Sequence, residues 1–380
     1  MNSQSGKKLK VGVIFGGRSG EHEVSLHSAN SIMRALNPDK YEIIPVGISR
    51  KGSWMLGVKP ETMLENNAAN GKSCILYSGN NEKKMQPNTT DATGKGLILV
   101  DNPESENKVN LDLLFPVVHG TFGEDGTMQG LLEQADMPYV GCGVLASAVG
   151  MDKTIAKKLF RDAGLKVAPF MQILRSNWKK NKKDILKQIE KQFTFPCFVK
   201  PVNSGSSVGI SKATDTDSLT AAIEEASRFD RKILIEAFVE GRELEVSVLG
   251  NDEPIASLPG EVVPCNEFYD YKAKYVDDRS ELKIPADLSE EQIETIRNQA
   301  ITAYKALDCA GMARVDFFLE KESNRLVINE INTIPGFTRI SMYPKLWEAT
   351  GISYPELCDR LISLALERYQ EKKESLIAVS

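Results

Sequence analysis

The sequence predicts an α/β fold that opens on a parallel sheet, and three observations carry that reading. An apolar run ending in glycines, Leu9 to Gly17, precedes a helical periodicity at Ala29, Ile32, Met33 and Leu36, and a second apolar run spans Tyr41 to Ile48. Strand, helix and strand in that order form a β-α-β unit, which places the two strands in parallel. The same alternation of strand-like and helical patterns returns further along the chain. Finally, 380 residues with 41% hydrophobic and 26% charged side chains exceed one domain and supply several cores.

Element by element, Asn37-Pro38 closes the first helix. Residues 50–110 hold Gly, Asn, Lys and short apolar runs and read as loops and edge strands. Leu111 to His119 is a strand, and Met128, Leu131, Leu132 and Ala135 mark the helix after it. A second unit starts near Met151. Its first helix carries Ile155, Leu159, Phe160 and Ala163 and is ended by Gly164. The strand Cys197 to Lys200, a glycine-serine loop, a helix through Leu219, Ala222, Ile223 and Ala226, and the strand Ile233 to Val239 follow. A third unit begins near Leu244. It contains a helix opened by the capping-box pattern Ser289-Glu-Glu-Gln292, a strand pair (Ala313 to Leu319, Leu326 to Asn332) and a last helix through Leu357, Cys358, Leu361 and Leu364. The expected domains are 1–150, 151–243 and 244–380.

With 47 basic and 52 acidic residues the net charge is -5. That argues against a general nucleic-acid binder but allows a local basic pocket for a phosphorylated small molecule. No apolar run reaches the roughly 18–20 residues needed to span a bilayer. The polar, lysine-rich start has no secretory signal, so a cytoplasmic protein is expected. Six scattered cysteines (74, 142, 197, 265, 309, 358) without a C-x-x-C pair read as small buried hydrophobes in a reducing compartment. For the same reason the sequon at Asn88 is not expected to be glycosylated.

Four stretches could carry chemistry. Side chains alternate along a strand, so Arg314, Asp316 and Phe318 share one face, as do Glu330 and Asn332 on the next strand. A short polar link at 322–325 implies a hairpin. If the faces match, two carboxylates and an amide oxygen converge, a hard donor set suited to Mg²⁺, with an arginine beside them for an anionic substrate. In the second stretch Lys200 precedes a loop of Gly and Ser (residues 203–209) whose backbone N–H groups can approach phosphates, although the P-loop pattern is absent. The third is Gly16 to Ser25, where glycines open a helix. There Glu21 either meets a substrate ammonium or simply favours the helix dipole. The fourth is His119 to Gly130, rich in glycine between strand and helix, whose His119 on its own reads as structural. Three patterns are set aside. His22 and His27 are five apart, so they do not share a helix face as a zinc protease requires. Gly141 to Ala146 fits G-x-G-x-x-A without the preceding strand or following acid of a dinucleotide site. No G-x-S-x-G occurs.

Taken in order, these stretches resemble the D-alanine–D-alanine ligases of the ATP-grasp superfamily, from about Lys10 to Arg368. The resemblance rests on residues 16–25, 119–126, 151–153, 199–209, 268–275, 313–316 and 329–338. It implies three α/β domains, with ATP gripped between the second and third. It implies that Lys153 and Lys200 neutralise phosphates under a cover of Ser206 and Ser207. Glu236, Phe238, Val239, Glu243 and Phe318 would surround the adenosine. Asp316, Glu330 and Asn332 would hold two Mg²⁺ (or Mn²⁺) ions. Glu21 and His119 would meet the first D-alanine, and Ser341 and Met342 the second. Arg314 and the N–H of Gly336 would stabilise an oxyanion. Lys274 and Tyr275 would lie on a lid, with Tyr275 linked through Ser206 to Glu21 and favouring an amine as second substrate. One departure is Ala237, where many members carry lysine, so that adenine would be met there by backbone groups. The family implies a homodimer and a role in peptidoglycan synthesis. The rivals are a ligase using lactate or serine, a nucleotide-binding regulator without turnover, and a dehydrogenase.

Overall fold

The structure is a computed structural model and describes residues 7–65, 71–77, 96–99, 108–263 and 281–375. Its first sheet has seven strands: β1 (Leu9–Gly16), β2 (Tyr41–Ile48), β3 (Trp54–Leu56), β4 (Lys72–Tyr77), β5 (Gly96–Leu99), β6 (Lys108–Asn110) and β7 (Leu113–Pro116), in the order β6-β5-β4-β3-β2-β1-β7. The β2-β1-β7 part is parallel, crossed over by α1 (His22–Ala35), as the β-α-β pattern predicts. The stretch 50–110 supplies the antiparallel edge strands and the short α2 (Pro60–Glu65). The alternation along β1 feeds two cores. Val11, Val13 and Phe15 pack with Leu26 and Ile32 of α1. Ile14 packs on the other face with Met128 and Leu132 of α3 (Thr127–Gln134). Strand β7 ends at Pro116, three residues before the expected end at His119, and the freed backbone carries His119 away from the sheet towards the site.

Two helices, α4 (Val144–Met151) and α5 (Lys153–Asp162), lead to the second sheet. Asp152 caps α5 by accepting from the N–H groups of Thr154 and Ile155 at 3.1 and 3.0 Å. The sheet is antiparallel, in the order β10-β9-β11-β8: β8 (Phe170–Leu174), β9 (Cys197–Pro201), β10 (Ser211–Ala213), β11 (Lys232–Ala237). One face is covered by α6 (Arg175–Gln192) and α7 (Thr216–Phe229).

The third sheet comprises β12 (Gly241–Gly250), β13 (Ile255–Ala256), β14 (Gly260–Val263), β15 (Glu281–Lys283), β16 (Gly311–Glu320) and β17 (Leu326–Asn332). Its main path is β15-β14-β12-β16-β17, with β13 also on β12. Helix α8 (Glu290–Ala306) begins with the expected capping box, in which Ser289 N–H donates to Gln292 and Gln292 N–H to Ser289 Oγ at 3.0 and 3.3 Å. Two helices close the chain, α9 (Met342–Ala349) and α10 (Tyr354–Glu374). Leu357, Cys358, Leu361 and Ile362 of α10 belong to the same core as Val11 and Phe115. Asp359 holds Lys40 and Tyr41 at 2.6 and 2.9 Å, and Arg368 donates to the carbonyl of Tyr139 at 3.1 Å. The last helix thus fastens the third unit to the first sheet.

The thiols of Cys74, Cys142, Cys197, Cys309 and Cys358 are free and buried, in keeping with their reading as small hydrophobes; Cys265 lies outside the described residues. Among the described residues no helix is long and apolar enough to cross a membrane.

Candidate active site

The hairpin of β16 and β17 forms the floor. Its register sets Arg314 opposite Asn332 and Asp316 opposite Glu330, so the two faces match as strand alternation requires. A bulge after Asp316 shifts the ladder by one residue, which turns Phe318 to face Val327. On the other side of β16, β12 sets Glu245 opposite Asp316. The Arg314 guanidinium donates to both Asp316 oxygens at 2.7 Å and lies 3.0 Å from Glu245. Asn332 donates to Asp316 at 3.0 Å. Asp316 is 2% exposed and Glu245 3%, so this is a desolvated cluster and not a wet surface pair. Asp316, Glu330 and Asn332 together offer two carboxylates and an amide, whose oxygens suit a hard dication such as Mg²⁺. No trio of His, Cys, Asp and Glu arranged for a metal occurs among the described residues.

Lys153 lines one wall, with Lys157 and Lys200 buried behind it. Lys153, at the start of α5, lies 3.5 Å from Glu330 and donates to the carbonyl of Ser204 at 2.8 Å. One turn on, Lys157 reaches Glu236 at 2.5 Å, and Lys200 of β9 reaches the other oxygen of Glu236 at 2.7 Å. Burial opposes the charge on Glu236, but Lys157 and Lys200 outweigh it and pull the carboxyl down to about 2. Burial also lowers Lys157, whereas Glu236 overcomes burial at Lys200 and raises it. Sequence reasoning missed Lys157. The available signal was its spacing of four from Lys153, which puts both on one helix face.

Beyond β11 the chain exposes Phe238, whose ring lies 6.0 Å from that of Phe198, with the Lys212 ammonium 5.3 Å above it. Val239 is half-buried beside it, and Glu243 stands opposite Phe318 across the β12–β16 ladder.

The glycine-serine loop closes the opposite side. Ser206 and Ser207 hold left-handed φ values of 48 and 58°, and Val208 N–H donates back to Gly205 at 3.1 Å to close the turn. That turn aims Ser206 Oγ at Glu21, to which it donates a short hydrogen bond. The Glu21 carboxylate fits between two glycines: a Cβ would lie 2.3 Å from it at Gly120 and 2.7 Å at Gly205. Glu21 sits at the N-cap of α1 without a capping bond, so its side chain serves the cavity and not the helix end.

His119 is held at both ring nitrogens, Nδ1 2.9 Å from the carbonyl of Ile334 and Nε2 3.1 Å from Ser28 Oγ. Phe337 N–H donates to that same Ser28 oxygen at 3.2 Å. Burial outweighs Glu21 and lowers the imidazole's basicity, which keeps it neutral. The residue therefore braces the turn at 334–337 while lining the cavity. Glu124 does similar work, accepting from Gly120 N–H at 2.7 Å and Ile334 N–H at 3.2 Å. Burial and the nearby Glu21 push its carboxyl up to about 8. It was overlooked as an individual residue, although its motif was singled out. At the far end Gly336 passes so close to Ser341 that a Cβ would lie 2.9 Å from its Oγ; Ser341 stands at the N-cap position of α9, but its Oγ makes no capping bond and accepts from Thr338 N–H at 3.0 Å.

A cavity of about 350 Å³ runs between these walls. Glu21, His119, Lys153, Ser206, Ser207, Arg314, Glu330, Asn332, Gly336, Ser341 and Met342 all line it. Asp316 lies beneath its floor, while Lys200, Glu236, Phe238, Val239, Glu243 and Phe318 lie off it, towards β9, β11 and the β12–β16 ladder. Lys274 and Tyr275 lie outside the described residues.

Residues 10–142 match the family model for the D-ala D-ala ligase N-terminus, and residues 159–363 that for the D-ala D-ala ligase C-terminus. The chain belongs to the D-alanine–D-alanine ligase family. The D-alanine–D-alanine ligase of Acetivibrio thermocellus is 50% identical over 96% of this chain and 98% of its own. That of Geobacillus thermodenitrificans is 48% identical over 96% and 98%. Among solved structures, the D-alanine–D-alanine ligase of Coxiella burnetii superposes with a TM-score of 0.80 at 36% identity, covering 97% of both chains. The VanG D-Ala:D-Ser ligase of Enterococcus faecalis gives 0.81 at 38% identity, over 94% of this chain and 100% of that one. The three α/β sheets described above are thus those of the ATP-grasp ligase fold, and the dehydrogenase alternative falls away.

Proposed function

We propose that the chain is a cytoplasmic, ATP-dependent D-alanine–D-alanine ligase that supplies the dipeptide for peptidoglycan, working as a homodimer. The observation that carries this reading is the placement of Glu21 and Ser206 across one small cavity from Arg314, Glu330 and Asn332. The domains are taken as 1–150, 151–243 and 244–380. Nucleotide would enter between the second and third, with adenosine near Phe238, Val239, Glu243 and Phe318 and its backbone contacts at Ala237. Lys153 and Lys200 would meet the phosphates. Because Lys157 and Lys200 share Glu236, that trio presents a single net positive charge. Asp316, Glu330 and Asn332 would hold the Mg²⁺ or Mn²⁺ ions. When bound, such ions neutralise phosphate charge during transfer.

Glu21 would hold the ammonium of the first D-alanine, beside His119. The carboxylate oxygen of that first D-alanine attacks the γ-phosphorus of ATP and ADP leaves, giving an acyl phosphate with a far better leaving group than O⁻. The neutral amine of the second D-alanine, seated against Ser341 and Met342, attacks the acyl carbon. The tetrahedral oxyanion falls to Arg314 and the Gly336 N–H, and phosphate departs as the nitrogen gives up its proton to it, leaving the neutral amide. Water must be excluded, since acyl phosphates hydrolyse. Lys274 and Tyr275 are assigned to that lid by family position.

The test is phosphate release from ATP with D-alanine, D-lactate or D-serine as acceptor. Release with D-alanine is expected, and release with D-lactate but not D-alanine at neutral pH would overturn the assignment. Nucleotide binding without turnover would favour the regulator. A second expected outcome concerns Glu21: Gly120→Ala, which imposes a Cβ at φ +74° against that carboxylate, should lower kcat/KM for D-alanine by about 10²-fold through misplacement. Wild-type kinetics would remove Glu21 from the substrate's ammonium.

A further inference from the structure

Three cations, Lys153, Arg314 and Lys345, line the cavity among its described residues. Two are matched by acids already described: Lys153 by Glu330, and Arg314 by Asp316 and Glu245. Lys345 is not; among the described residues it has no ion-pair partner, although it is half-buried. It stands one turn into α9, four residues after Ser341, so both lie on the helix face that borders the cavity. The wall beside them is apolar, formed by Met342, Leu282 and Ile340. An unmatched ammonium, a hydroxyl and the first N–H groups of a helix converge next to a small apolar surface. That combination suits a carboxylate carrying a short aliphatic side chain.

We infer that Lys345 draws in and orients the carboxylate of the second amino acid, an inference that rests on the ligase reading above. Its charge attracts that carboxylate and repels the ammonium at the other end of the zwitterion. The acceptor is thereby turned so that its nitrogen points towards Arg314 and the acyl carbon. Lys345 is thus a specificity-determining residue for carboxylate-bearing acceptors, and none of the proposed bond-making steps passes through it.

Steady-state kinetics on Lys345→Met and Lys345→Arg test this, with D-alanine and with D-alaninamide, which keeps the amine and methyl but lacks the carboxylate. Removing the charge while keeping the side-chain length should raise the KM of the second D-alanine about tenfold, the size of one charge-assisted contact. The KM values for ATP and the first D-alanine should stay within about twofold, because those groups contact other residues. Lys345→Arg should restore most of the affinity, and D-alaninamide should be used equally well by all three enzymes. An unchanged second KM in Lys345→Met, or an equal loss with D-alaninamide, would overturn the inference alone. Failure of the wild type to release phosphate with D-alanine would overturn the ligase reading and this inference together.

Discussion

Arg314→Ala is expected to lower turnover by about 10²–10³-fold, the usual consequence of removing one oxyanion donor, while ATP affinity changes far less. The reason lies in how the guanidinium is held. Asp316 and Glu245 fix it from two sides at 2.7–3.0 Å, so it is oriented before substrate arrives. A group already in place needs no reorganisation when charge develops on the tetrahedral carbon. Arg314→Lys should recover only part of the rate, because an ammonium cannot engage Asp316 through two parallel bonds. Single-turnover phosphate release paired with calorimetric titration of nucleotide separates the two effects. Wild-type turnover in Arg314→Ala would strike the residue from the mechanism.

Glu236→Ala should produce the largest loss of stability. Lys157 and Lys200 are 1% and 9% exposed, and Glu236 is the carboxylate placed between them. Without it two buried ammonium groups face each other, and breaking a buried ion pair in this way costs about 3–5 kcal/mol. Urea denaturation at neutral pH gives the number. Replacing Lys157 by Met in the same background should recover part of the loss, since one of the opposed charges is gone. The pH dependence has a definite sign. The folded carboxyl titrates at about 2, below the roughly 4.3 of an unfolded glutamate. Its contribution is therefore complete above the unfolded value and is lost as pH falls from there towards the folded one. The stability gap between wild type and Glu236→Ala should narrow across that window. A gap constant from pH 5 to pH 2.5 would contradict the assignment.

Strand alternation alone located the floor of the cavity, because the period of two in Arg314, Asp316, Glu330 and Asn332 needed only a hairpin to bring both faces together. The parallel opening was legible for a similar reason: long apolar runs with glycine ends are hard to mistake. Helix α6 was not legible. Trp178, Ile185 and Ile189 are its buried apolar positions, and lysines dominate the rest of the helix. The bracing roles of Glu124 and His119 were equally hidden, since their partner carbonyls and N–H groups lie at Ile334, more than two hundred residues away. The adenosine residues, likewise, came from family resemblance and not from a pattern in the chain.

The seating of α10 in the first sheet has a consequence for how the protein is made. Ribosomes deliver Val11 and Phe15 long before Leu357, Leu361 and Ile362, the residues that complete their shared core. The opening β-α-β unit must therefore emerge with one apolar flank uncovered and wait until α10, more than three hundred residues later, is made. The second sheet, whose core draws on residues 171–237 alone, can settle in the meantime. Maturation would then run from the middle outwards, and a nascent chain halted before residue 354 should hold a folded centre behind an unfinished, sticky beginning.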